Sequence, residues 1–205
     1  AILPRRDPNS PVFETQVPST CGTCHQGVAD AYRGGIHAAA LADGNPAAPQ
    51  CATCHTAHTI QRIDSEPWKL SVTNECGACH SQVVDSFRRT FHGKVNQLGF
   101  GSAAACADCH GAHGVQPASN PASTIAPGNL VTTCAKCHAG ANARFVEYDP
   151  HPDPRNYARS PVLWWANRLY TVLIAGCFGF FALHSGLWFW RSRRERRRTT
   201  PGHSA

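Results

Sequence analysis

Five times along the chain a cysteine is followed three residues later by a second cysteine and then at once by histidine: Cys21-Cys24-His25, Cys51-Cys54-His55, Cys76-Cys79-His80, Cys106-Cys109-His110 and Cys134-Cys137-His138. Ten of the eleven cysteines are used this way. Cys-x-x-Cys-His is the attachment signature of a c-type haem: the thiols add to the vinyl groups and the adjacent imidazole takes one face of the iron. Paired Cys-x-x-Cys motifs also build zinc sites with four ligands per metal, and cysteine-rich secreted chains form disulfides. Neither demands histidine directly after the second cysteine. Histidine is 12 of 205 residues, so five such placements would arise by chance about once in a million chains. The motifs imply a scaffold for five covalently attached haem c groups.

Five further histidines supply one more candidate ligand per iron: His37, His58, His92, His113 and His151. Their placing is periodic. Cys21 to Cys76, His37 to His92, Cys51 to Cys106 and His58 to His113 are each 55 residues apart, the mark of a tandem duplication. A half-length third copy starts at Cys134, with His151 lying 13 residues after His138 between Pro150 and Pro152. In Cys-x-x-Cys-His-x-x-His the two histidines sit about one helical turn apart, so the second cannot reach the opposite face of its own haem. His58 and His113 are therefore expected to serve neighbouring haems. There is no methionine, so Met/His ligation, which raises haem potential, is closed within this chain and bis-His, low-potential haems follow. Attachment of haem c belongs to an oxidising compartment outside the cytoplasm, so a signal peptide is expected to have been removed before Ala1.

Residues 1–20 carry four prolines and read as an extended lead-in, and 21–151 as the pentahaem domain, two 55-residue dihaem repeats plus a half repeat. Turn residues cluster before the second, fourth and fifth motifs, short helices fit Gln26–Arg33 and Ser81–Phe91, and no strand alternation is present. The fold class expected is mostly α with much irregular structure. About 130 residues cannot enclose five porphyrins in an ordinary apolar core, so the haems themselves are expected to be the core, with Tyr32, Trp68, Phe87 and Phe91 against their edges.

A linker over 152–162 leads to an apolar stretch, 163–190, and a basic tail, 191–205. Leu169 to Trp190 are 22 residues without a formal charge, enough to cross a bilayer core of about 30 Å. Trp164, Trp165 and Tyr170 mark one end, Trp188 and Trp190 the other, and six arginines follow within 191–198. Aromatic belts and an arginine block place the C-terminus in the cytoplasm. Without residues 191–198 the chain has 13 basic and 12 acidic residues. The basic balance is thus topological: it suits anionic lipid and offers nothing for nucleic acid.

Within the span, Ala175, Gly179, Ala182 and Gly186 form a stripe of small residues that would let another helix approach. Cys177 reads as a small apolar filler. His184 lies within the span, where an ionisable residue is a functional hypothesis by default. Three readings stay open: ligation of a b-type haem shared with a partner subunit, a quinone site, or a hydrogen bond to a neighbouring helix.

The pattern CGTCH…YRGGIH…CATCHTAH, repeated as CGACH…FRRTFHG…CADCHGAH, resembles the membrane-associated multihaem cytochromes c of bacteria. FFALHSGLWFWRSRR resembles the first membrane helix of multihaem cytochromes that continue into, or pair with, a b-type cytochrome. The first copy departs in lacking glycine after His37 and in carrying Thr56 where the second has Gly111. The resemblance implies a non-enzymatic electron-transfer subunit in the bacterial inner membrane. Its integral membrane partner would be a b-type cytochrome or a quinone-interacting protein, and its other partners periplasmic redox proteins. The alternative is a multihaem reductase, with one open-site haem acting on a small nitrogen or sulfur oxyanion.

Overall fold

In the computed structural model, which describes residues 2–199, the chain is mostly helical, with turns and irregular segments between the helices and no strand among those residues. The helices are α1 (Val17–Gly22), α2 (Gln26–Arg33), α3 (Ile36–Ala42), α4 (Cys51–His55), α5 (Glu66–Gly77), α6 (Ser81–Phe87), α7 (Phe91–Gln97), α8 (Cys106–His110) and α9 (Leu130–Ala135). A short 3-10 turn (Phe145–Glu147) and the long α10 (Pro161–Thr199) follow. Residues up to His151 form one unit and those from Pro152 a second.

The 55-residue period is built into the backbone. Helices begin at 26, 36 and 51 in the first copy and at 81, 91 and 106 in the second, a constant offset of 55. Ala29 and Tyr32 of α2 are buried, as are their equivalents Val84 and Phe87 of α6. Residues three apart share a helix face, and burying a Val or Phe side chain contributes about 1.5–3 kcal/mol. That face packs on the helix carrying the preceding motif, where a glycine makes the approach close. A Cβ on Gly22 would stand 2.9 Å from Ala29 Cβ, and one on Gly77 would stand 3.2 Å from Val84 Cγ2. Gly22 and Gly77 each directly follow the first cysteine of a motif. The glycine inside Cys-Gly-x-Cys-His thus serves helix packing.

Two expected elements differ. Ser81–Phe91 is not one helix: α6 stops at Phe87 and α7 starts at Phe91. Arg88 to Thr90 turn the corner, and the Thr90 hydroxyl accepts the Gly93 N–H at 3.2 Å to cap α7. The lead-in over 1–20 is not extended either. Asp7, Ser10, Phe13 and Gln16 each donate a backbone N–H to the carbonyl three residues earlier, and α1 starts at Val17.

The same ladder runs from Pro117 through Asn120, Ser123 and Ala126 to Asn129 ahead of α9. Ser10 and Ser123 are its buried pins, at 0% and 2% exposure, and each hydroxyl donates to the carbonyl seven residues before it. Thr20 and Thr133 each donate to the carbonyl nine residues before, at 2.7 and 2.6 Å. The N-terminal segment is therefore the counterpart of the stretch before the fifth motif. Both carry Pro-x-x-Asp/Asn-Pro-x-Ser, Pro4 to Ser10 and Pro117 to Ser123.

Eight hydrophobic residues are buried among the described ones, a small apolar core for a unit that ends at His151.

The second unit consists of a loop and α10. The helix has 39 residues, about 58 Å at about 1.5 Å per residue, longer than a bilayer core of about 30 Å. It is apolar enough to cross a membrane, and its apolar window is wholly exposed. It begins two residues before the expected span and carries the arginines of 191–198 as helix, where a tail was expected to begin; residues 200–205 lie outside the described residues. Arg193 and Arg194 fold back over the rings of Phe189 and Trp190, at 4.9 and 5.7 Å from ring centre. Arg191 pairs with Glu195 at 2.9 Å.

Candidate haem-ligand sites

Each motif closes one helical turn. His25, His80 and His138 donate their backbone N–H groups to Cys21, Cys76 and Cys134 carbonyls at 2.9 Å, and motifs two and four are themselves the one-turn helices α4 and α8. An i to i+4 turn puts the first thiol, the second thiol and the imidazole on one side of the backbone, as two-point attachment plus axial ligation of one planar group requires.

Four of the five motif histidines face a second histidine from a different part of the chain. Ring centres are 6.4 Å apart for His80 and His37, 6.0 Å for His55 and His113, 5.9 Å for His138 and His92, and 6.2 Å for His110 and His151. An imidazole nitrogen binds a first-row metal at about 2.0–2.1 Å, and the ring centre lies about 1.1 Å behind it, so two imidazoles on opposite faces of one iron have centres about 6.3 Å apart. All four pairs fit that spacing. No group of three or more His, Cys, Asp or Glu that could hold a metal ion forms among the described residues.

The pairing follows the duplication. The α3 histidine of the first copy, His37, meets the third motif, and its α7 equivalent, His92, meets the fifth. The second and fourth motifs are met from loops further along the chain. His113 is held over the α2–α3 corner: Ile36 N–H donates to Val115 O at 2.9 Å, and the Gln116 amide donates to Gly34 O. Gly35 makes this possible, since a Cβ there would stand 2.9 Å from His113 O. His151 stands over the corresponding α6 of the second copy, with Nδ1 3.1 Å from Ser86 Oγ. His25 and His58, both exposed, are the candidate ligands outside these four pairs.

Burial lowers the pKa of His37, His92, His110 and His113 below the ordinary histidine value, and the partner histidine lowers each further. Neutral imidazole, the ligating form, is what this environment favours. The motifs also neighbour one another in chain order. Burial and then the neighbouring Cys21 thiol push the Cys51 thiol up, and the neighbouring Cys106 thiol pushes up that of Cys76; all four are free cysteines. The Cys76 contact holds Cys106 down to about 7 and is the main cause of the rise at Cys76. Burial pushes the Cys54 and Cys109 thiols up, with Cys79 acting on the former and Cys134 on the latter.

The aromatic residues divide. Trp68 stacks on the His55 ring at 4.8 Å and 13°. Tyr32 is buried and its hydroxyl donates to Pro49 O at 2.8 Å, pinning the chain ahead of the second motif. Phe87 is buried in the packing of α6, and Phe91 is 78% exposed. Phe145, not singled out by its sequence context, lies 4.9 Å from the His138 ring. In the second unit, His184 lies 6.3 Å from the Phe180 ring on one face of α10, and Cys177 is exposed.

Comparison of the chain with protein-family models, curated proteins and solved structures gives no match.

Proposed function

We propose that the chain is a membrane-anchored pentahaem cytochrome c that carries electrons between a membrane redox partner and periplasmic redox proteins. The observation that carries this reading is the set of four motif-histidine pairs at 5.9–6.4 Å. Haem iron supplies reversible one-electron chemistry, and the protein supplies attachment, spacing and potential.

In this reading the ten motif cysteines tether five haems. His25, His55, His80, His110 and His138 would each hold one of these haems, and His113, His37, His151 and His92 would supply the second histidine at the second, third, fourth and fifth. The regular pairing leaves His25 as the one motif histidine outside the four pairs, and His58 as the one second-ligand candidate of the repeats outside them. The first iron is theirs, an assignment supported by the Cys21 thiol of the first motif neighbouring Cys51 of the second, the motif just before His58. Chain-order contact between motifs supports a continuous line of haems.

Burial that keeps histidines neutral supports ligation. The small apolar core supports cofactors in its place. The exposed apolar α10 supports a membrane anchor, and its arginine end a cytoplasmic C-terminus with the haem unit on the periplasmic face of a bacterial inner membrane. His184 is the candidate contact to a b-type haem or quinone site of an integral membrane partner.

Electron paramagnetic resonance of the oxidised protein tests the reading. Five low-spin bis-His centres are expected. A high-spin centre that shifts with nitrite or sulfite would replace this reading with an oxyanion reductase.

A further inference from the structure

The Ser86 hydroxyl touches two groups. It stands 2.7 Å from Val83 O, one turn back in α6, and 3.1 Å from His151 Nδ1. A serine hydroxyl has a single proton. A carbonyl can only accept, so at 2.7 Å that proton belongs to Val83 O. Towards His151 the oxygen therefore acts as acceptor, and Nδ1 carries the hydrogen it donates. The lone pair of the neutral ring is then on Nε2.

Position is set as well as tautomer. Pro150 and Pro152 restrict the backbone on both sides of His151, and the His151 N–H donates to Asp149 Oδ1 at 2.8 Å. The ring centre lies 6.2 Å from that of His110. The first copy offers a control written into the duplication. The residue equivalent to Ser86 is Ala31, and the loop that docks there does so through backbone, a Cβ on Gly114 standing 3.1 Å from Ala31 O. Both docked loops present an imidazole, His113 and His151; in the second copy the imidazole nitrogen itself meets a side-chain hydroxyl at the docking helix, at the position where the first copy has Ala31 against loop backbone.

We propose that Ser86 is the positioning residue of the fourth haem site, holding His151 as the Nδ1–H tautomer so that Nε2 is the atom offered opposite His110. This rests on the haem reading above. A ring N–H that donates makes the other nitrogen a stronger donor to the metal, which favours ferric over ferrous iron and lowers the potential of that one centre.

The test is a redox titration of the full-length, haem-loaded protein in detergent, followed by visible absorption and electron paramagnetic resonance. His151→Met identifies the transition that belongs to this site, since thioether ligation raises it. Ser86→Ala is expected to raise that same transition and shift the g-values of that one low-spin signal, leaving the other four unmoved. Ser86→Thr, which keeps the hydroxyl, is expected to restore both. A Ser86→Ala protein with five haems and five unchanged transitions overturns the inference, as does a Ser86→Thr protein displaced as far as the alanine variant. Wild-type protein lacking covalent haem fails at the haem reading itself, before any variant is compared.

Discussion

Gly93 directly follows His92 in α7 and is buried, so adding one methyl group there probes the wiring of the fifth motif. A Cβ at Gly93 would lie 2.2 Å from Phe87 O and 2.6 Å from Arg88 Cα. Favourable separations between heavy atoms start at about 3.5 Å, so the shortfall is about 1 Å. Both obstacles are backbone, and the Thr90 hydroxyl ties Gly93 to the first of them, donating to Phe87 O at 2.6 Å while accepting the Gly93 N–H at 3.2 Å. The first turn of α7 must therefore move by about 1 Å, carrying His92 from its place 5.9 Å from the His138 ring. Metal–ligand distances tolerate about 0.2 Å, so the displacement is several times what an axial bond accepts. Overpacking of this kind costs about 1–3 kcal/mol. Gly93→Ala should keep five attached haems, because no thiol or motif histidine moves, while one of the low-spin centres becomes high-spin. Its denaturant midpoint should fall by the corresponding amount. Gly27→Ala, where a Cβ meets nothing within 4 Å, should leave the spectrum as it was. A Gly93→Ala protein with unaltered spin states and stability would refute the reasoning.

Thr56 holds φ at 59° directly after the second motif, where the second copy places Gly111 at 77°. That conformation costs a β-branched residue about 1–3 kcal/mol, against about 0.5–1 kcal/mol of extra chain entropy for glycine. Thr56→Gly should therefore raise stability by up to about 2 kcal/mol in chemical denaturation, and a loss would contradict the strain. In the chain without cofactor, the lowered pKa values of His37, His92, His110 and His113 mean that the unfolded state binds protons first as pH falls below about 6.5, the ordinary histidine value. Stability should be full above that pH and decline below it; a flat profile between pH 7 and 5 would count against the buried pairs. Protein purified with its membrane partner should carry b-type haem that His184→Ala removes, and unchanged b-haem content would eliminate His184 as its ligand.

What the sequence reveals divides along local and long-range lines. The five motifs and α2 are legible because each is written in neighbouring residues, and the 55-residue period because those local patterns recur at a fixed offset. The pairing is not: His37 meets His80 and His113 meets His55 through the docking of one copy on another, and no local pattern encodes that. The α6–α7 corner escaped because Ser81 to Gln97 has no Gly or Pro punctuation at the break, and a threonine cap ends one helix and starts the next. The turn ladder before α1 was concealed by its prolines, which read as extension until the matching Pro-x-x-Asn-Pro-x-Ser before α9 is set beside it. Its offset is 113 residues, Ser10 to Ser123, which departs from the 55-residue period. Ser86 did leave a signal: it is the polar residue at a position where the first copy has Ala31.

The most direct test of the account is the intact mass of the protein matured in a periplasm competent for haem c attachment, measured after acid and organic extraction of any loosely held cofactor. The account predicts a chain heavier by five haems, with Cys177 the one thiol still open to alkylation. An unmodified chain with eleven alkylatable thiols, or one whose mass gain is zinc released by acid, would contradict it.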